Sequence, residues 1–193
     1  MTSKLIAITG GIGSGKSTVS KIIKDLGYPV FSADEVYKNL IKDESFVKKI
    51  YDGLGIESDN VKFDKNLISS RVFNDKKALE KLNSITHPEV MNELIKLSKE
   101  KGGVVFNEVP LLFESNFESL YDKVIIVTRN LDDRVSSVAL RDGLTKDEIL
   151  LRIKNQVNYE NIKSNAHTLI SNDKSLEELT KKVKAVIDNI VND

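Results

Sequence analysis

The sequence predicts an α/β fold: one five-stranded parallel sheet flanked by helices, extended by a helical insert and by a second helical excursion. Three observations predict it. Apolar runs at 5–8, 104–106 and 124–127 are continuous rather than alternating, the pattern of strands buried on both faces of a parallel sheet. Helical periodicity fills the stretches between the runs, as crossovers between parallel strands require. The first run also leads directly into Gly10, Gly11, Ile12, Gly13, Ser14, Gly15, Lys16 and Ser17, a GxxxxGKS loop joining strand to helix.

Residues 5–8 open the sheet. After the loop, Val19, Ile22, Ile23 and Leu26 recur at helical spacing and Gly27 stops the helix. Residues 28–31 form the second strand. About seventy residues of helical pattern follow, where a single crossover helix needs only ~10–15. The surplus is an inserted helical subdomain, with helices expected at 35–41, 46–51, 65–73, 76–84 and 89–99. The runs at 104–106 and 124–127 are the third and fourth strands. A two-helix excursion over 132–159 then carries Arg134, Arg141, Lys146, Arg152 and Lys154, the composition of a basic lid. Residues 168–170 supply the fifth strand, and Leu176, Leu179, Val183, Val186, Ile187 and Ile190 mark a closing helix that packs on the sheet.

Composition narrows the function. A chain of 193 residues suits one domain with insertions. Twenty-nine basic residues balance 29 acidic ones, so no global field attracts nucleic acid or a membrane, and an anion site must be built locally. The absence of cysteine excludes disulfides, thiolate catalysis and thiolate metal sites. No apolar stretch approaches the ~18 residues of a membrane span, so a soluble protein of the cytoplasm is expected.

The loop points to a nucleotide. Gly13 and Gly15 allow backbone N–H groups to approach phosphate oxygens, Lys16 supplies a cation to the β- and γ-phosphates, the Ser17 hydroxyl can ligate Mg²⁺, and Thr18 follows as an α-phosphate contact. Asp34 follows the second strand, expected beside the loop's own strand at the sheet edge where ligands of open α/β sheets collect. There it can accept the proton of an attacking hydroxyl. A structural account competes: Ser32 and Glu35 form an SxxE capping box, with Asp34 complementing the helix dipole. His87 likewise either binds a substrate oxygen or sits in a box made by Thr86 and Glu89, with Pro88 in a first helical turn. Glu108 ends the third strand near the loop, where an acid can hold magnesium directly or through water. Glu114 suits capping or a salt bridge. Arg141 and Arg152 flank the turn of the excursion, whose second helix starts with a capping box from Thr145 to Glu148; they either close over phosphates or form a solvated basic face.

These pieces, in order, resemble the dephospho-CoA kinases over almost the whole chain. The residues that carry the resemblance run from Thr9 to Val19, then Ala33-Asp34, His87-Pro88, Val109-Pro110-Leu111-Leu112-Phe113-Glu114, Arg141, the stretch 152–156 ending in Gln156, and Ser171-Asn172-Asp173. The resemblance implies a P-loop kinase fold as a single domain, with a core at 1–34, 102–131 and 160–193, a CoA-substrate insert at 35–101 and a lid at 132–159. It implies transfer of the γ-phosphoryl group of MgATP to the ribose 3′-hydroxyl of dephospho-CoA, the last step of CoA synthesis. Nucleotide binding then falls to Gly11, Ile12, Gly13, Ser14, Gly15, Lys16, Ser17, Thr18, Arg141 and Asn172, and acceptor binding to Asp34, His87, Pro110 and Leu111. Asp34 inherits the role of general base, with Lys16 and Arg141 as the other catalytic groups. Ser17 and Glu108 are the metal candidates. Asn172 and Asp173 lie near adenine, or form an Asx turn. Two positions depart from the family's usual residues: Ser32 stands where an aspartate is common, and Ser137 where many members carry an arginine.

Other classes fit less well. A nucleoside monophosphate kinase needs several phosphate-binding arginines at its acceptor site, and the insert has only Arg71. A GTP-dependent switch needs a guanine-selecting NKxD, which is absent. No partner beyond the small-molecule substrate is expected, neither nucleic acid, membrane nor obligate protein.

Overall fold

The computed structural model describes residues 3–58, 61–162 and 167–192, so positions 59–60 of the expected insert and 1–2, 163–166 and 193 of the expected core lie outside the described residues. Contacts divide the chain into two compact units, Met1–Phe31 with Ser98–Asp193, and Ser32–Leu97.

The first unit holds the sheet. Its strands are β1 (Lys4–Thr9), β2 (Val30–Ser32, which reaches the unit boundary), β3 (Val104–Glu108), β4 (Lys123–Thr128) and β5 (His167–Ser171), in the order β2-β3-β1-β4-β5. All are parallel; Ile8 is level with Glu108 on one side, Thr9 with Ile126 on the other, and Thr128 pairs with Ser171. At the edge, Phe106 N donates to Pro29 O at 3.0 Å. The expected adjacency of the second strand and the loop strand is therefore corrected: β3 lies between β2 and β1. Apolar runs fix which segments are strands but carry no term for lateral order.

One face is covered by α1 (Lys16–Asp25) and α8 (Leu176–Asn192). Ile6, Ile8, Phe106, Ile125, Val127 and Ile170 alternate along four strands to meet Val19, Ile23, Val183 and Ile187 from these helices. Each such side chain contributes on the order of 1.5–3 kcal/mol by leaving water. α6 (Leu131–Asp142) and α7 (Lys146–Lys154) form the excursion between β4 and β5, and the capping box of Thr145 and Glu148 is present. 3₁₀ turns occupy Glu118–Leu120 and Tyr159–Asn161.

The second unit is helical: α2 (Ala33–Leu40), α3 (Glu44–Leu54), α4 (Lys65–Val72) and most of α5 (Lys76–Lys101). Asp43 caps α3 by accepting from Ser45 N, and Asp64 caps α4 from Asn66 N and Leu67 N. Phe46, Val47, Ile50, Tyr51, Leu54, Ile68 and Ala78 form its buried cluster. Two expectations fail here. Ser32 is the N-cap of α2 but makes no side-chain capping bond, so that box does not form. The helices expected at 76–84 and 89–99 are one helix of 26 residues that passes through Pro88. Thr86 caps nothing; its hydroxyl donates to Leu82 O at 3.0 Å inside the helix. An internal proline costs about 3 kcal/mol. Burial of Val90, Met91 and Leu94 beyond it, at about 1.5–3 kcal/mol each, outweighs that and carries the helix through.

Candidate active site

β1 ends in the loop, and the loop ends in α1 with Gly15 as N-cap in the left-handed region, φ 95°. No side chain caps this helix, which leaves its first N–H groups and dipole end available to an anion. Glycine is enforced by space as well as by φ: a Cβ on Gly10 would collide with Val127 O, and one on Gly15 with Asn172 Nδ2. Lys16 Nζ donates to Gly10 O at 2.8 Å and Gly11 O at 3.1 Å, holding the ammonium over the loop.

Around the loop, side chains from distant segments converge. Ser17 Oγ donates to Glu108 Oε1 at 3.0 Å. Asn172 Nδ2 donates to Ser14 O at 3.0 Å. The Ile12 peptide is held at both edges: its N–H donates to Gln156 Oε1 at 2.9 Å, and its carbonyl accepts from Arg134 Nε at 2.9 Å. Beside the loop lies a cavity of about 340 Å³ walled by Gly11, Ser14, Arg129, Arg134, Gln156 and Tyr159 among others.

The stretch 156–159 of the cavity wall is anchored by Glu114. Glu114 accepts from Tyr159 Oη, 3.1 Å to each carboxylate oxygen, and from Val157 N at 3.2 Å. That corrects the expectation of a cap or salt bridge. Burial, then the Glu114 charge, push the Tyr159 phenol up, so it stays the donor at neutral pH. Asp173 accepts from Asn130 N and from Ser171 Oγ, both at 2.7 Å, tying the ends of β4 and β5 together. These bonds hold its carboxyl below the usual range.

Glu108, Ser17, Lys16 and Asn172 thus meet at the loop, Asn172 through the Ser14 carbonyl. Arg141 lies elsewhere: at the C-terminal end of α6, its guanidinium forms a bidentate pair with Asp142 at 2.7 and 2.8 Å, and it is not among the residues walling the cavity. Arg134 and Gln156 occupy the loop instead. The signal for Arg134 was positional, one turn into the helix that leaves β4, but it becomes legible only once β4 is known to neighbour β1.

In the helical unit, Asp34 stands exposed in the first turn of α2 and His87 is half-buried within α5. Pro110 and Leu111 follow β3 in the sheet unit, where Leu111 holds φ 59°, a left-handed conformation costly for a branched side chain.

Burial depresses the His87 pKa, and that of His167 against the partial opposition of Glu118. With the unfolded value near ~6.5, the unfolded chain binds these protons more tightly. Their contribution to stability is complete above that value and is lost as pH falls through the lower folded values. Urea unfolding of His87→Asn, compared with wild type from pH 7.5 to 5, is expected to show a shallower acid decline of the midpoint; parallel curves would refute it.

A family model described as dephospho-CoA kinase matches residues 4–178. The chain belongs to the dephospho-CoA kinase family. It is 35% identical to the dephospho-CoA kinase of Fusobacterium nucleatum over 193 residues, covering 98% of this chain and 100% of the relative. It is 34% identical to that of Thermus thermophilus, covering 95% and 90%. The fold superposes on the solved dephospho-CoA kinase from Campylobacter jejuni with a TM-score of 0.70 at 28% identity, covering 99% and 98%. Similarity to a shikimate kinase from Aquifex aeolicus, TM-score 0.50 at 19% identity, extends to the fold alone. Within this dephospho-CoA kinase chain, the departure at Ser137 has a local answer. Its hydroxyl accepts from Arg129 Nη1 at 2.8 Å, so a guanidinium still reaches that turn of α6, from a different element.

Proposed function

We propose that this chain transfers the γ-phosphoryl group of ATP to the ribose 3′-hydroxyl of dephospho-CoA, releasing CoA and ADP. The observation that carries the donor half is the loop itself, with an uncapped helix end, Lys16 above it and the Ser17 hydroxyl bonded to Glu108. The family match carries the acceptor half.

The acceptor oxygen bonds to the γ-phosphorus while the bond to the β–γ bridging oxygen breaks and ADP leaves; the hydroxyl proton passes to Asp34. Lys16 offsets charge on the transferring group, and loop N–H groups fix the phosphates in line. Asn172 and Gln156 keep the loop in shape through Ser14 and Ile12. The family resemblance assigns acceptor binding to Asp34, His87, Pro110 and Leu111. Arg141 adds charge when the α6–α7 excursion covers the site, which also excludes water and limits ATP hydrolysis.

Ser17 and Glu108 fit magnesium: they present two hard oxygens in mutual contact, and no cluster of three or more acidic or histidine ligands exists among the described residues. A cation that takes few protein ligands and keeps phosphates and water suits that set. Bound there, it neutralises phosphate charge. Glu108→Gln is expected to raise the Mg²⁺ concentration for half-maximal turnover about 10-fold, with partial recovery at excess metal. An unchanged Mg²⁺ titration would exclude Glu108 from the metal site.

A nucleoside monophosphate acceptor is disfavoured. Arg71, the one arginine of the insert, donates through Nε to Leu54 O at 3.0 Å and pairs with Asp75 at 2.8 Å. No helix among the described residues is long and apolar enough to cross a membrane. A water-soluble donor and a water-soluble acceptor favour a reaction in the cytoplasm.

The test is incubation with MgATP and, separately, dephospho-CoA and a set of nucleoside monophosphates, following ADP release and acceptor mass. A gain of about 80 Da, one phosphoryl group, is expected on dephospho-CoA alone. No gain there would overturn the substrate assignment.

A further inference from the structure

Arg129 follows β4 and projects into the sheet unit's cavity beside the loop. Its side chain is 28% exposed. Guanidinium groups carry five N–H donors and stay charged at any physiological pH, so one that is largely buried normally has its donors matched. Here Nη1 donates to Ser137 Oγ at 2.8 Å, but Nε is buried with no hydrogen-bond acceptor among the described residues. The Asp133 carboxylate lies 3.7 Å from Nε, an ion-pair separation beyond hydrogen-bond length. Asp133 is also shared with the Asn130 amide. The group is thus held at one corner by Ser137, with a donor left unmatched, and it lines the same cavity as Gly11 and Ser14 of the phosphate loop. The same cavity carries Arg134 and Lys154 and no carboxylate among its walls.

We propose that Arg129 is a nucleotide-contacting residue, positioned by Ser137, that engages the donor nucleotide bound at the loop. This rests on the loop being the donor site. A guanidinium can serve in two ways, N–H donation to phosphate oxygens or stacking of its face on the base, and both draw on the same planar cation. Ser137 sets the orientation; Arg134, committed through Nε to the Ile12 carbonyl, shapes the loop rather than duplicating this contact.

The experiment measures MgATP binding by calorimetry, together with thermal unfolding and steady-state kinetics, for wild type, Arg129→Ala, Arg129→Lys and Ser137→Ala. Arg129→Ala is expected to weaken MgATP binding about 10- to 100-fold, the loss of one to two charge-assisted bonds, and to raise the KM for ATP far more than it changes kcat or the acceptor KM. Arg129→Lys keeps charge without the planar fork and should recover part of the loss, and Ser137→Ala should cost about threefold. Tripolyphosphate as competitor locates the contact. Equal loss for tripolyphosphate and ATP assigns it to the phosphates, loss for ATP alone assigns it to the nucleoside, and both outcomes uphold the proposal. Arg129→Ala binding MgATP within twofold of wild type overturns it, whether or not the melting temperature falls. Failure of the wild-type protein to bind MgATP would instead overturn the donor-site assignment, which separates the two.

Discussion

Asp34→Asn is expected to lower kcat by about 10²- to 10⁴-fold while leaving MgATP affinity within about twofold of wild type. The carboxylate stands in the first turn of α2, directly after β2, and is exposed. Asparagine preserves volume and remains tolerable in a first helical turn, so a loss of stability would not account for the effect. It cannot, however, take the acceptor proton, and the product alcohol oxygen must then form without a base. Stopped-flow binding of ATP alongside single-turnover transfer to dephospho-CoA separates the two steps. Turnover within a few-fold of wild type would remove Asp34 from the chemistry and leave it as a dipole-complementing acid.

Lys16→Ala is expected to cost a further class of effect, about 10²- to 10³-fold in kcat together with weaker ATP binding, because its charge meets the phosphates in both ground and transition states. A 10³-fold loss corresponds to about 4 kcal/mol. The structural cost is of comparable size: the ammonium donates to Gly10 O and Gly11 O, and bonds from a charged donor contribute about 1.5–3 kcal/mol each. Thermal unfolding measured beside kinetics distinguishes them. A melting temperature lowered by a few degrees with kcat nearly intact would mean that Lys16 braces the loop and does not act on the substrate.

The strands were legible because burial on both faces leaves a continuous apolar run, and residues 5–8, 104–106 and 124–127 each lie in a strand two residues longer. Their lateral order was not, since β3 inserts beside β1 through contacts that leave no periodic trace. The break expected before Pro88 failed for a related reason: a local capping pattern at Thr86 and Glu89 was weighed without the burial of Val90, Met91 and Leu94 that overrides it. At the loop, residues adjacent in sequence were found from sequence, while those that arrive from other elements needed the fold. Ser17 with Glu108 was legible because the glycine loop and the end of the third strand both fall at the carboxyl edge of the sheet. Arg134 was legible only as one lid cation among several, Gln156 only as part of a resembling stretch, and Arg129 not at all, because long polar side chains on surface helices and loops carry no mark that tells a solvated one from one that reaches a neighbour.

Pro88 has a consequence for motion within α5. It has no N–H, so the Ser84 carbonyl loses its intrahelical donor, and the ring crowds the turn before it. Amide hydrogen exchange within the interior of this helix should therefore be uneven, slow among the amides of the buried stretch around Leu94 and faster in the turn between Ser84 and Pro88. His87 stands in that turn. The interior of the longest helix of the described chain is thus less protected at the point where it carries a group assigned to the acceptor. Binding of the acceptor there should register as slowed exchange confined to that turn.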